Sequence, residues 1–266
     1  MLTIGSPLET LLTVLLHSFF AIFFMQVAAA ISNKEEWIYL IRLCEDGRRY
    51  SDMCRYFVQY LDLGLEISSL ERHLFSLAFH GRVTQLRNAW RIASKSMSHS
   101  TDDSQLASIC HSLRQDIEAL CNEAIEYVSL KIMPTCVSPD QRVYFLKFRG
   151  DFERYKAEVA DCKTRSSAAT AAHEWYMQAA DAALCHLSPM DSIRLSLMLN
   201  FSIFYYDIYN DAERACVVAK SACDDAIDAG IRSKKHADDN DADERMNVFN
   251  TIRSNLIKWS SQLTHT

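Results

Sequence analysis

The stretch "RHLFSLAFHGRVTQLRNAWR", residues 72–91, decides the fold class. At about 100° per residue of helix, Phe75, Phe79, Leu86 and Trp90 fall within roughly 60° of arc, while His80, Arg87 and Arg91 gather on a stripe roughly 140° from Phe75. One face packs and the other collects nitrogen. On this helix alone the stripe reads as a solvated face, and a function for it needs partners elsewhere in the chain.

The composition around it supports helices throughout. With 266 residues, 49% of them hydrophobic and 23% charged, the chain can bury a substantial core. Six glycines and four prolines are too few for the many tight turns of an all-β protein, so the expected class is all-α. Apolar periodicity predicts helices near 33–46, 50–63, 69–97, 101–133, 140–161, 163–187, 191–209, 211–230 and 241–260. Gly47, "SKSMSHSTDDS" (94–104), "MPTCVSPD" (133–140) and "SPMDS" (188–192) punctuate them. No repeat of a tetratricopeptide or HEAT kind runs through the segments, which leaves a non-repeating antiparallel array.

Two further helices carry polar residues on one face. In "QRVYFLKFRGDFERYKAEVADC" (141–162), Lys147 and Arg154 sit one heptad apart with Asp151 on the same face. In "LMLNFSIFYYDIYN" (197–210), Asn200, Ile203 and Asp207 fall within roughly 60° of arc. An Asn and an Asp beside an aliphatic residue suit the main chain of an extended peptide.

Several classes of function are excluded. A net charge of −6 argues against general nucleic-acid binding, which rests on a basic surface. The sequence has no GxSxG, Walker or dinucleotide fingerprint, so neither an enzyme nor a cofactor is expected. "HEWYM" (173–177) lacks the second histidine of HExxH because position 177 is Met177, and no metal site is expected. The nine cysteines are odd in number, scattered and free of CxxC pairs, and read as reduced, mostly buried small hydrophobes.

Residues 1–31 do not match the rest. "LLTVLLHSFFAIFFMQVAAAI" (11–31) has no charge and is long enough to span a bilayer. It is preceded by Glu9 and by no Lys or Arg, although "VAAA" (27–30) suits a signal-peptidase site. Three readings stand side by side: a non-native or alternative upstream start, a signal peptide or membrane anchor, and an extra packed helix. The expected organisation is this segment, a helical domain over 32–262 and a short tail over 263–266.

The domain resembles the 14-3-3 family of dimeric phosphopeptide adaptors. "RHLFSLAFH" (72–80) is similar to that family's first signature, and "VYFLKFRGDFERYKAEV" (143–159), "IRLSLMLNFSIFYYDI" (193–208) and "ERACVVAKSACDDAI" (213–227) follow in its order. "IRSNLIKW" (252–259) resembles a weaker second signature. The resemblance implies a single all-α domain of nine antiparallel helices forming a concave groove. It also implies a non-enzymatic, cytoplasmic adaptor that clamps, masks or bridges proteins bearing phosphoserine or phosphothreonine. Membrane contact or export would then depend on residues 11–31.

By the same resemblance, Arg87, Arg154, Tyr155 and His80 hold the phosphate. Asn200 and Asn255 grip the peptide main chain, Asp207 and Trp259 form a neighbouring hydrogen-bonded pair, Leu199, Ile203 and Val248 form the apolar wall, and Lys147 and Arg91 line the groove. The dimer interface is implied at Leu43, Arg49, Ala89, Ala93, Ile109 and Asp116, with Arg49 and Asp116 pairing across a homodimer or a heterodimer of related chains. Asp52 faces Ser112 where the family has lysine, and Ser96 replaces an apolar contact, so a weakened interface is expected. His80 stands where the family has lysine, so one cation is expected to titrate near neutrality. Asn247 and Thr251 replace groove leucines, and the family's acidic tail is absent. These departures leave a second reading, a helical scaffold that has lost phosphate dependence and binds through apolar or acidic surfaces.

Overall fold

A computed structural model describes residues 34–64, 67–97, 104–232 and 242–264. The apolar stretch 11–31, with its three readings, lies outside the described residues. Among those described there are nine α-helices and no strand: α1 (Lys34–Asp46), α2 (Tyr50–Leu61), α3 (Ser69–Met97), α4 (Ser104–Tyr127), α5 (Pro139–Val159), α6 (Arg165–His186), α7 (Ser192–Asp207), α8 (Ala212–Arg232) and α9 (Ala242–Leu263). None of them is long and apolar enough to cross a membrane. The contacts group the chain into two compact units, one ending at Ala78 and the other starting at Phe79.

In the first unit, α1 and α2 bury Trp37, Ile41, Met53, Tyr56, Phe57 and Tyr60. Edge-on aromatic contacts order this core, Phe57 meeting Tyr60 and Phe75 at 5.4 Å in each case. The start of α3 is fixed by a capping box: the Ser68 N–H donates to Glu71 (2.6 Å), and the Glu71 N–H donates to the Ser68 hydroxyl (3.4 Å). Lys34 closes on the same carboxylate at 2.7 Å.

In the second unit, α6 lays a small-residue face of Ala168, Ala169, Ala172, Ala179 and Ala183 into the core. The close approach of α5 and α6 is set by Gly150, where an added Cβ would stand 2.9 Å from the Tyr176 ring. Asp191 caps α7, accepting from the Ile193 and Arg194 amides at 2.8 and 3.3 Å. Arg194 then reaches Asp225 of α8 at 2.7 Å.

Two expectations change in detail. The helix expected over 101–133 runs as α4 only to Tyr127, then widens to a π-turn over Val128–Ile132 and tightens to a 3-10 turn over Met133–Thr135. The Ser129 hydroxyl takes the Ile125 carbonyl at 2.6 Å, and Pro134 has no N–H to continue the ladder. On α3 the buried side continues through Phe79 and Val83 to Arg87, which is 8% exposed, whereas Leu86 and Trp90 are only half-buried. Arg87 therefore belongs to the packed edge of the helix and not to a solvated face.

Candidate functional site

α5, α6 and α7 converge polar residues on Asp151, which is fully buried. Its carboxylate accepts from the Tyr176 hydroxyl (2.6 Å), the Asn200 amide (2.8 Å) and Lys147 (2.9 Å), and Arg154 lies at 3.5 Å. Burial alone would raise its pKa, but Lys147, Arg154 and these hydrogen bonds hold it well below the usual carboxylate range. Lys147 is raised in return, its own burial penalty being outweighed by Asp151. The result is a hub that is ionised at neutral pH and orients two cations.

Arg154 is fixed from three sides, donating to the Tyr176 hydroxyl at 3.0 Å, pairing with Asp151 and lying 4.7 Å from the Tyr155 ring centroid. Arg87 lies 3.9 Å from the same ring. Tyr155, buried on α5 one residue after Arg154, therefore brings the two guanidinium groups together. One turn further along α5, Glu158 accepts from Arg87 (Nε at 2.8 Å, and Nη2) and from Arg91 (Nε at 2.6 Å). Sequence reasoning missed Glu158, although its place four residues after Arg154 on the same helix face was visible.

His80 joins the set differently from expectation. Its Nδ1 is 3.3 Å from the Tyr155 hydroxyl, and its ring is packed by Phe148, Phe152 and Tyr155 at 5.2, 5.1 and 5.9 Å. Burial among these rings pushes its pKa down to about 4; Asp151 opposes the shift, while Lys147, Arg154 and Arg87 add to it. The expected titration near neutrality is not found: His80 is neutral in the free protein at pH 7 and serves as a hydrogen-bonding group.

The other residues expected to line a groove lie on α7 and α9. Leu199, Ile203 and Val248 are half-buried against the core cluster, and Asn200 is held by Asp151 with its amide carbonyl available as an acceptor. Asn255 is half-buried. Thr251 and Asn247 are exposed, the Thr251 hydroxyl donating to the Asn247 carbonyl at 2.8 Å. The Asp207–Trp259 hydrogen bond is not formed among the described residues. Trp259 instead stacks on Tyr206 at 4.9 Å, while the Asp207 side is turned to a cavity of about 280 Å³ lined by Arg91, Arg154, Glu158, Arg165, Asp207 and Ile208. Arg165 was not singled out in the sequence, since its place at the start of α6 gives no periodic signal.

The implied interface residues fall on the surface except one. Leu43 and Ile109 are 48% and 52% exposed, Ala89 and Asp116 are exposed, and Ala93 is buried. Arg49 pairs with Asp52 of its own chain at 2.6 Å. Ile92, next to Ala93 in sequence, is 70% exposed. Elsewhere, His173 of "HEWYM" bonds the Tyr205 hydroxyl at 2.9 Å inside an aromatic cluster. Among the described residues no group of His, Cys, Asp or Glu is placed to hold a metal, and all nine cysteines are free.

The chain is similar over most of its length to proteins of one family. The family model described as 14-3-3 protein matches residues 40–260. The chain is 33% identical over 234 residues to 14-3-3 protein zeta of Bombyx mori, covering 86% of this chain and 93% of that protein. It is 31% identical over 234 residues to 14-3-3 protein beta/alpha of Homo sapiens, with 86% and 94% covered. Against 14-3-3-like protein A of Glycine max it is 33% identical over 246 residues, with 88% and 92% covered.

Proposed function

Because the chain belongs to the 14-3-3 family, we propose that it is a non-enzymatic adaptor binding phosphoserine and phosphothreonine motifs of partner proteins at Arg87, Arg154 and Tyr155. Capture of phosphorylated motifs by arginine clusters is a recognition mode of which this family is itself a standing example. The observation that carries the reading is charge balance. In a protein of net charge −6, the only ion pairs of Arg87, Arg91, Lys147 and Arg154 among the described residues are with Glu158 (Arg87 and Arg91) and Asp151 (Lys147 and Arg154), and the two groups meet at the Tyr155 ring. The surplus of two positive charges matches a phosphomonoester, which carries about 1.5 to 2 negative charges at pH 7. Guanidinium forks suit it because they donate paired hydrogen bonds and never lose charge.

Each neighbour has a role in that reading. Glu158 holds Arg87 and Arg91 in position in the free protein and shares them with an incoming phosphate. The Tyr155 hydroxyl and the neutral His80 add hydrogen bonds, Lys147 extends the positive field, and Asn200 and Asn255 take the peptide main chain. Leu199, Ile203 and Val248 receive apolar side chains. Exposed Leu43, Ile92 and Ile109 support a homodimer, or a heterodimer with a related chain. Two grooves on one body would clamp, mask or bridge doubly phosphorylated partners through effective concentration. The free thiols support a cytoplasmic setting, with membrane contact only where residues 11–31 act as an anchor.

The test is fluorescence anisotropy of one peptide in phosphorylated and unphosphorylated forms with the full chain. Binding is expected only for the phosphorylated form. Arg87→Lys, which keeps the charge but loses the fork, should weaken it about tenfold, since a charge-assisted hydrogen bond is worth roughly 1.5–3 kcal/mol. The second reading, a scaffold without phosphate dependence, draws on the neutral His80 and the polar Asn247 and Thr251. Equal binding of both peptide forms, unchanged by Arg87→Lys, would select it.

A further inference from the structure

The cavity beside Arg154 is about 280 Å³, opens to solvent, and reaches from Arg91 and Arg154 to Arg165 and Asp207. Its three arginines are not equivalent. Arg91 is tied to Glu158, and Arg154 is held by Asp151 and Tyr176. Arg165, the first residue of α6, is half-buried and donates through Nη2 to the main-chain carbonyls of Ile208 (3.2 Å) and Asp207 (3.5 Å). No carboxylate of the described residues pairs with it.

A guanidinium has five donors in a fixed fork, and the two carbonyls engage one nitrogen. The carboxylates that share the cavity do not complete it. Both Glu158 oxygens are taken by Arg87 and Arg91. Asp207, itself exposed, forms no ion pair with Arg165, and partial desolvation raises its pKa, with Glu158 adding to the shift against Arg154, Arg91 and Arg87. An unpaired, half-buried guanidinium opening into a shared cavity is a site for an anion supplied from outside.

We propose that Arg165 forms a second anion subsite beside the phosphate pocket, so that preferred ligands carry a second anionic group, a carboxylate or another phosphate, close to the phosphorylated residue. The inference rests on the phosphopeptide reading and names the substrate class of the same site. The full chain is titrated by anisotropy with a singly phosphorylated, alanine-flanked peptide and with versions carrying glutamate, phosphoserine or arginine at each of the three positions on either side. One acidic position is expected to tighten binding about five- to tenfold. The glutamate and phosphoserine peptides show which anion is the better fit. In Arg165→Gln the ratio between the acidic and alanine-flanked peptides should fall below about twofold, and Arg165→Lys, with charge but no fork, should keep part of it.

An equal ratio in the wild type and both variants overturns the subsite. So does the absence of any gain from an acidic position, or a gain from arginine instead, which would assign the cavity to Glu158 and Asp207. These outcomes leave the phosphopeptide reading standing, because the alanine-flanked phosphopeptide still binds. If no phosphopeptide binds, both fail. Circular dichroism melts of the variants establish that each is folded, and Arg165→Lys carries the comparison if Arg165→Gln is not.

Discussion

Replacing His80 by phenylalanine should make the protein less sensitive to acid. The imidazole is enclosed by Phe148, Phe152 and Tyr155, and its pKa is pushed down to about 4, with burial the largest cause. An unfolded chain binds a proton at this histidine below about pH 6.5, and the folded chain does so only near pH 4, so between those values acid favours unfolding. The contribution is whole above pH 6.5 and lost as pH falls toward 4. At about 1.36 kcal/mol per pH unit the loss between pH 7.5 and 5 is about 2 kcal/mol. For a chain of this size that is roughly 4–8 °C in Tm. The assay is a far-UV circular dichroism melt of the wild type and of His80→Phe at both pH values. The other histidines are common to both proteins, so the difference between the two shifts isolates His80. The wild type should lose about 4–8 °C more than the variant, and an identical loss would refute the neutral, ring-enclosed histidine.

Three further outcomes follow from the packing. Asp151→Asn leaves Lys147 and Arg154 buried without their carboxylate and should cost about 3–5 kcal/mol in urea unfolding; a cost below about 1 kcal/mol would remove Asp151 as the hub. Gly150→Ala drives a Cβ to 2.9 Å from the Tyr176 ring, and overpacking of about 1–3 kcal/mol should exceed the roughly 1 kcal/mol gained in helix propensity; a raised Tm would show that Tyr176 gives way freely. Ile92→Glu places a charge on exposed apolar surface and should shift the protein toward monomer in sedimentation velocity; unchanged association would take the interface away from α3.

Much of the fold was legible because long helices advertise themselves by period. The expected segments at 69–97 and 191–209 end within a few residues of α3 and α7. The π-turn at Val128–Ile132 was not legible, since Ser129 looks like any other polar residue until its hydroxyl is seen on the Ile125 carbonyl. In the site, the helical wheel correctly gathered His80, Arg87 and Arg91 but misjudged depth: Arg87 is buried because Glu158 and the Tyr155 ring, some 70 residues away in sequence, accept it. The same distance hid the state of His80, whose substitution for lysine suggested a switch near neutrality while its aromatic enclosure, set largely by α5, keeps it neutral. Arg165 escaped notice because it follows a break in periodicity, where spacing carries no information about facing.

The π-turn at Val128–Ile132 also bears on how this chain tolerates changes in length. A π-turn holds one residue more than an α-helical turn over the same rise, so the surplus residue is absorbed locally and the rest of the helix keeps its register. Removing one residue between Ser104 and Asp116 would rotate every later side chain by about 100° and turn Ile117, Leu120 and Cys121 out of the core. Removing one from Val128–Ile132 would instead let the segment relax into regular α-helix ahead of Pro134. A single-residue loss in this half of the protein is therefore best absorbed at the exposed Leu130 or Lys131 of this turn, since its Val128 and Ile132 are buried.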